Sequence, residues 1–235
     1  MKPIFGIVAL VALSLSFAVP ASAHHIWLEV DGQGGKIYFG EFGENLREAS
    51  PGTLDKLQPQ AKAVSWGGER PLTVQKSANA YIATGKIDDG DSIVAEDIRW
   101  PSFERKRDNK TGIYMPAARF VPDRAPRAAV LTLDIVPRGD DKFQVVFKGE
   151  PLAKAKVAIV TPSGWGREER TGTDGEFEVK LPWRGPYVFE VHHDDNTAGK
   201  RGEQAYDFAN YVTTLTVVQS QGIESLPAPA PAKPH

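Results

Sequence analysis

Two pairs of adjacent histidines are the residues of this 235-residue chain whose types and spacing could do chemistry. The first pair, His24-His25, follows Ala21-Ser22-Ala23, and the second pair, His192-His193, is followed by Asp194-Asp195. Imidazole nitrogens combined with carboxylate oxygens suit zinc, copper, cobalt and nickel better than magnesium or calcium. We therefore take six residues as candidate ligands of a divalent transition metal: His24, His25, His192, His193, Asp194 and Asp195.

The first pair follows a segment, residues 1–23, with the composition of a secretory signal peptide. Lys2 supplies a positive charge, an apolar stretch spans residues 4–19, and an Ala-x-Ala peptidase site ends at Ala23. The apolar stretch is too short for a comfortable membrane span. We expect export to the periplasm, with cleavage between Ala23 and His24.

Cleavage there would leave His24 with a free amine beside its own imidazole, which together form a bidentate chelate. The reference pKa of such an amine is near ~8, so the metal-binding form is accessible at neutral pH. Adjacent histidines on a strand point to opposite faces, so at most one residue of each pair readily joins a given site. The segment 192–195 would supply the remote imidazole and a carboxylate.

Other interpretations of these residues stay open. A His-His pair beside a cleavage site is also compatible with a solvated polar segment, and residues 192–195 with a turn holding one hydrogen-bonded histidine. The chain has no cysteine, which excludes disulfides and thiolate ligands. Its net charge of -2 argues against a nucleic-acid-binding protein. We find no catalytic dyad and expect no enzyme.

Alternation of apolar and polar residues predicts a chain built from short strands. In residues 24–30, Ile26, Leu28 and Val30 share one face, as in a half-buried strand, and a second strand at 36–42 completes a hairpin. Further strands are predicted at 61–66, 71–74, 80–84, 92–95, 128–136, 143–147, 155–161, 177–181, 187–193 and 211–218. Between positions 99 and 127 the alternation weakens.

These elements predict an all-β fold of two consecutive β-sandwich domains, Ig-like or transthyretin-like, after the signal peptide. Residues 24–137 form the N-terminal β domain, and residues 138–220 form the C-terminal β-sandwich domain. Proline, glycine and charge in 137–141 are typical of a linker. The Pro/Ala-rich residues 221–235 are predicted to be a disordered tail.

Two resemblances to known families add to this prediction. The segments 150–157, 173–177 and 185–191 resemble those of a transthyretin-like or carboxypeptidase-regulatory-like β-sandwich. The whole mature chain resembles the DUF4198 family, which is associated with a NikM-like periplasmic component of nickel or cobalt uptake. The segments that carry this second resemblance are His24–Glu29, Phe42–Glu48, His192–Gly199, Tyr206-Asp207 and Tyr211–Thr216.

The DUF4198 resemblance implies a periplasmic accessory protein that binds nickel or cobalt, with copper as a further option. The chain has no permease segment after the signal peptide, so we expect it to deliver the metal to a membrane uptake permease. Two other functions stay open. One is a histidine-brace copper enzyme, which shares the N-terminal histidine, and the other is a β-sandwich binding module without metal.

Overall fold

The computed structural model describes residues 24–32 and 34–235. The predicted signal peptide, residues 1–23, lies outside the described residues. The described residues form nineteen strands and two short 3-10 helices, Phe42–Glu44 and Thr53–Lys56. The strands of the first half are β1 (His25–Asp31), β2 (Gly34–Glu41), β3 (Leu46–Arg47), β4 (Gln60–Ser65), β5 (Gly68–Lys76), β6 (Tyr81–Thr84), β7 (Ser92–Glu96), β8 (Phe103–Arg105) and β9 (Lys110–Val121).

The second half of the chain is also built from strands. They are β10 (Leu133–Gly139), β11 (Lys142–Phe147), β12 (Glu150–Pro151), β13 (Lys156–Val160), β14 (Gly166–Arg170), β15 (Glu176–Glu178), β16 (Gly185–Asp195), β17 (Gly199–Arg201), β18 (Gln204–Tyr206) and β19 (Phe208–Gln219). The predicted all-β sandwich class is confirmed.

One large mixed sheet runs through both halves of the chain. Its main path has the order β1-β2-β6-β5-β4-β7-β9-β19-β16-β13-β14, with β3 paired to β2 and β8 paired to β9. The predicted hairpin of β1 and β2 is confirmed, with Ile26 opposite Phe39. The strands from β1 to β9 share a hydrophobic core that includes Ile26, Leu28, Ile37, Phe39, Leu54, Leu57, Ala61, Ala63, Leu72, Tyr81, Ala83, Ile93, Ala95 and Ala118.

The second half adds a smaller sheet in which β11 pairs with β10, β12 and β15. This sheet and the β9-β19-β16-β13 part of the large sheet contribute to a second core. Its members include Ile113, Val121, Leu133, Ile135, Phe143, Val145, Val157, Ile159, Phe177, Tyr187, Phe189, Val191, Leu215 and Val217. Alternation along β16 places Tyr187, Phe189 and Val191 in this core, which leaves Glu190 and His192 on the opposite face.

Strand β9 is where the two halves meet. It pairs antiparallel with β7 and parallel with β19. Ala118 packs in the first core, whereas Ile113 and Val121 pack in the second. The predicted domain boundary after position 137 falls within β10 (Leu133–Gly139), and a division into two folding units there stays a prediction.

The sequence predicts no strand over β9, because the alternation weakens between positions 99 and 127. Arg119 is fully buried, and it donates two hydrogen bonds to the buried carboxylate of Asp134, at 3.0 Å from Nε and 2.6 Å from Nη2. A charge paired in this way can occupy an interior position that a pattern of hydrophobicity assigns to solvent.

Strand β1 lies across the face of β16 and β19 that points away from the second core. Trp27 packs against Val188, and the hydroxyl of Thr214 donates to the carbonyl of Ile26 at 2.8 Å. Both faces of the start of β1 are therefore buried, whereas the sequence alone predicts a half-buried strand. This packing directs His25 toward the C-terminal half.

The segment that follows β19 returns to the N-terminal half as extended chain. The carbonyl of Ile223 accepts a hydrogen bond from the backbone of Arg184 (2.7 Å), and the side chain of Asn45 donates to the carbonyl of Pro229 (2.9 Å). We call residues 221–235 the tail. Its predicted disorder stays a prediction for the protein in solution, and in this structure its path brings His235 beside β3.

Candidate metal centre

His24 and His25 point in different directions from the start of β1. The ring of His24 lies next to Phe39, with the ring centroids 5.2 Å apart, at one end of the first core. The ring of His25 lies on the same side of the strand as Trp27, with the centroids 5.7 Å apart. The two histidines of this pair therefore join separate groups of side chains, as the period of a strand requires.

His24 meets Glu48 and His235 in one cluster, which we call the His24 site. Nε2 of His24 lies 2.6 Å from Oε1 of Glu48, and Nδ1 of His235 lies 2.9 Å from the same oxygen. The three ligand atoms all lie within 4.8 Å of one another. Nδ1 of His24 also lies 3.6 Å from Oε1 of Glu41, so a second carboxylate flanks the site.

Glu48 is the centre of the His24 site and is fully buried. It directly follows β3, and its backbone N–H donates to the carbonyl of Phe39 at 2.8 Å, which fixes it beside β2. Burial alone would raise the pKa of Glu48, but hydrogen bonds from His235 and His24 outweigh burial and hold this pKa below its ordinary value. Glu48 is therefore a buried anion that needs a cationic partner.

The backbone at His24 is fixed by a partly buried tyrosine. The hydroxyl of Tyr114 donates to the carbonyl of His24 at 2.7 Å. Burial raises the pKa of Tyr114, so its hydroxyl stays protonated and keeps donating at any physiological pH. His24 is thus held at its carbonyl while its nitrogen atoms face the acidic side chains.

His235 reaches the site through the tail. Its backbone N–H donates to Oε2 of Glu48 at 3.1 Å, and its carbonyl accepts from the hydroxyl of Thr53 at 3.3 Å. The backbone N–H of Ala232 donates to the carbonyl of Asn45 at 3.3 Å. The side chain of His235 is 66% exposed, so few contacts hold this ligand in place.

His25 and His192 meet at a different carboxylate, Glu190. Nδ1 of His25 lies 3.3 Å from Oε1 of Glu190, and Nε2 of His192 contacts the same oxygen. Burial would raise the pKa of Glu190, but the charges and hydrogen bonds of His25 and His192 outweigh burial and lower it. We call these three residues the Glu190 cluster.

The remaining predicted ligands have partners away from both clusters. His193 lies on the core side of β16, where its ring packs against Phe147 at 4.3 Å and burial lowers its pKa. Asp194 accepts a hydrogen bond from Asn210. Asp195 pairs with Lys148 at 2.6 Å, and this bond lowers its pKa to about 2.

Among the described residues, the His24 site is the group that brings three possible ligand atoms together for a metal ion. It combines two imidazoles with one carboxylate, which is a set that nickel, cobalt, copper and zinc accept. In the His24 site, the buried charge of Glu48 needs either protonated imidazoles or a metal ion beside it. The three residues would hold the ion through Nε2 of His24, Oε1 of Glu48 and Nδ1 of His235.

Three residues of these clusters are absent from the sequence-based candidates: Glu48, Glu190 and His235. Glu190 shares a strand face with His192 by simple alternation, so the sequence carried a signal for it. Glu48 lies in a segment with weak alternation, and His235 lies in a tail with no periodicity. Only the folded chain brings these two residues to His24.

Among the described residues, no helix is both long enough and apolar enough to cross a membrane. No curated protein and no solved structure matches the chain. A family described as "Domain of unknown function (DUF4198)" matches residues 121–195, a segment that contains Glu190 and the 192–195 group. Over this segment the chain is similar to the DUF4198 family, which supports the family resemblance seen in the sequence.

Proposed function

We propose that the protein is an exported accessory protein that binds a divalent transition metal, nickel or cobalt and also copper, at the His24 site. It would deliver the metal to a membrane uptake permease. One observation carries this proposal: His24, Glu48 and His235 place two imidazole nitrogens and a buried carboxylate oxygen within 4.8 Å of one another. Three protein ligands of these types form a partial shell that leaves room for more donors.

Removal of residues 1–23 would strengthen this site. A peptidase cut after Ala23 would add the amine of His24 to the donor set, on the same residue whose imidazole faces Glu48. The amine chelates together with Nδ1 of the same residue, so the ring of His24 would turn to present Nδ1 in place of Nε2, and the second bond then forms at little additional entropic cost. The four donors would then be three nitrogens and one oxygen, which favours nickel and copper over calcium or magnesium.

The tail gives the site a route for releasing metal. The tail is held by the contact of His235 with Glu48 and by exposed hydrogen bonds that Asn45 donates to the carbonyl of Pro229 and Thr53 to the carbonyl of His235. Exposed hydrogen bonds contribute only about 1 kcal/mol each, so a partner could displace the tail at modest cost. Loss of His235 would remove one ligand and weaken binding at the moment of delivery.

A titration of nickel and copper into the exported, processed protein tests this proposal. We expect saturable binding that weakens by at least about tenfold in His24→Ala and in His235→Ala, because each change removes a ligand. His193→Gln is the matched control, since it removes an imidazole that faces Phe147 and should leave affinity unchanged. Equal affinity of wild type and His24→Ala would refute the proposal.

A second experiment distinguishes the proposed accessory protein from the alternative function, a histidine-brace copper enzyme. The copper site of such an enzyme would also use the amine and imidazole of His24, and it could take its second imidazole from His235. In the structure the buried carboxylate of Glu48 contacts both rings, an arrangement that suits capture of an ion more than an open copper position facing a substrate. Turnover of a polysaccharide by the copper-loaded protein with reductant and peroxide would favour the enzyme, whereas reversible binding without turnover would favour the accessory protein.

A further inference from the structure

A cavity beside the turn between β4 and β5 shares no residue with the His24 site. Its narrow part, of about 60 Å³, is lined by residues that include Val64, Trp66, Arg119, Arg127 and Ala128. A wider part of about 460 Å³ shares Trp66 and Arg127 with the narrow part and opens to solvent. The wider volume lies within the range of roughly 300–1,000 Å³ that ligand pockets span. We call the two parts together the Trp66 cavity.

Trp66 forms an exposed wall of this cavity. Its exposed fraction is 90%, whereas the next most exposed large apolar side chain among the described residues is Leu226 at 58%. The turn that carries Trp66 is held by Ser65, whose hydroxyl accepts from the N–H of Gly67 and donates to the carbonyl of Gly68, each at 3.2 Å. A single exposed apolar side chain is ordinary on a protein surface. A tryptophan on a fixed turn at the rim of a cavity, however, offers a ligand a flat apolar face.

The polar walls of the cavity are also fixed. Nη2 of Arg127 donates to the carbonyl of Gly90 at 3.2 Å and to Oδ1 of Asp123 at 2.8 Å, and the Arg127 side chain is only 12% exposed. Arg70 donates to Asp91, whose side chain is almost fully buried. Because these groups are already ordered, a ligand that binds to them loses little side-chain entropy on the protein side.

Arg119 gives the narrow part a hydrogen-bond donor without a partner. It is fully buried, and its Nε and Nη2 donate to Asp134. Its third nitrogen, Nη1, is buried and has no hydrogen-bond partner among the described residues. Buried donors are nearly always paired. Since Arg119 lies in the wall of the narrow part, a ligand oxygen placed there is the acceptor that this donor lacks.

The charges of the wide part select the class of ligand. Its wall carries four carboxylates against two guanidiniums: Asp88, Asp89, Asp91 and Asp123 against Arg70 and Arg127. An anionic ligand would therefore meet an excess of negative charge. A purely cationic ligand would have no acceptor for the free donor of Arg119. Hydroxyl groups suit both kinds of wall, because they donate to carboxylates and accept from guanidiniums.

We propose that the Trp66 cavity binds a neutral carbohydrate. The apolar face of one sugar ring stacks on the indole of Trp66, and its hydroxyl groups donate to the carboxylates of the wide part. The narrow part has room for only a few atoms, and it takes one hydroxyl group, whose oxygen accepts from Arg119. This site is independent of the His24 site and of the proposed metal binding.

Calorimetric titration of the full chain with three neutral oligosaccharides, cellohexaose, maltohexaose and N-acetylchitohexaose, tests this proposal. We expect saturable binding of at least one of them. Binding should also protect tryptophan fluorescence from quenching by acrylamide, because Trp66 is the most accessible indole that the structure describes. Trp66→Ala should weaken the affinity by at least about tenfold, whereas Trp66→Phe should keep most of it because an aromatic face remains.

Two further variants separate loss of the site from general effects. Leu226→Ala is the matched control, because it removes an exposed apolar side chain outside the cavity and should leave the affinity unchanged. Asp89→Ala removes an exposed carboxylate from the wall and should weaken the affinity by roughly two- to tenfold. Because Trp66 and Asp89 are exposed, both of their variants should keep the wild-type urea midpoint of unfolding.

The proposal is overturned if none of the three oligosaccharides binds, or if wild type and Trp66→Ala bind with equal affinity. Hexalysine and a proline-rich peptide are titrated for comparison. Binding of hexalysine alone would make the cavity a cation site, and binding of the peptide alone would make it a peptide site, so either result also overturns the proposal. A failure of metal binding would refute the proposed function and leave this site untouched, since the two share no residue.

Discussion

The imidazole rings of His24 and His235 lie with their centroids 5.3 Å apart, although these are the first and the last residues that the structure describes. Both rings contact Oε1 of the buried Glu48. No local motif could create this arrangement. It depends on the path of the tail past Asn45 and on the position of Glu48 directly after β3.

The tail contact predicts that His235 contributes to metal affinity but little to folding. We expect His235→Ala to weaken nickel binding by at least about tenfold, with a free energy of unfolding within about 0.5 kcal/mol of wild type, because the side chain is largely exposed. Competition with a coloured chelator measures the affinity. Lys233→Ala is the control on the same tail, and equal affinities for the two variants would argue against a ligand role for His235.

The ion pair of Asp195 and Lys148 predicts a specific pH dependence of stability. The hydrogen bond from Lys148 lowers the pKa of Asp195 to about 2, below an unfolded value near ~3.9. The stabilisation is therefore fully present above about pH 4 and is lost as the pH falls through about 2. Because Lys148 is half exposed, we expect Asp195→Asn to cost only about 1 kcal/mol at pH 7.

Urea unfolding of wild type and Asp195→Asn between pH 2 and pH 7 measures this effect. The difference in unfolding free energy should shrink toward pH 2, where the wild-type carboxylate becomes protonated. A difference that stays constant over this range would mean that the variant acts by changing packing rather than by removing the charge.

The contacts of Asp194 and Asp195 also predict that neither carboxylate binds metal. Asp194 is bonded to Asn210 and Asp195 to Lys148, so neither faces His24 or His192 in a shared cluster. We expect Asp194→Asn and Asp195→Asn to bind nickel and cobalt with wild-type affinity and stoichiometry. A tenfold loss in either variant would restore the ligand role that the sequence suggested.

The buried pair of Arg119 and Asp134 predicts a large effect on the free energy of unfolding. Asp134 accepts from the guanidinium of Arg119 and from the backbone N–H groups of Val130 and Leu131. Asp134→Ala would leave a buried cation unpaired, which costs about 3–5 kcal/mol. Chemical unfolding monitored by tryptophan fluorescence measures the change, and a loss below about 1 kcal/mol would show that solvent reaches Arg119.

Much of the local structure could be predicted from alternation alone. The β1–β2 hairpin and the strands β4, β7, β11 and β16 follow the period of two that an amphipathic strand imposes. Strand β9 is an exception: it lies where the alternation weakens, and its Arg119 is buried by pairing with Asp134, fifteen positions later. Hydrophobicity patterns carry no information about a partner that neutralises a charge.

The site could be predicted only in part. Strand geometry correctly separates His24 from His25 and places Glu190 with His192. It cannot reveal that β1 packs on the outer face of β16, since that contact is long range. The contacts of His24 with Glu48 and of His25 with Glu190 therefore emerge only from the fold, whereas Asp194 and Asp195, which directly follow the second histidine pair, have other partners.

Anomalous diffraction from crystals of the processed protein grown with one equivalent of nickel tests the central claim most directly. The account predicts a nickel peak about 2.0–2.2 Å from an imidazole nitrogen of His24, Nδ1 of His235 and an oxygen of Glu48; where the amine of His24 also binds, that imidazole nitrogen is Nδ1. A fully loaded crystal whose nickel peak lies elsewhere, with His24 and His235 still bonded only to Glu48, would contradict it.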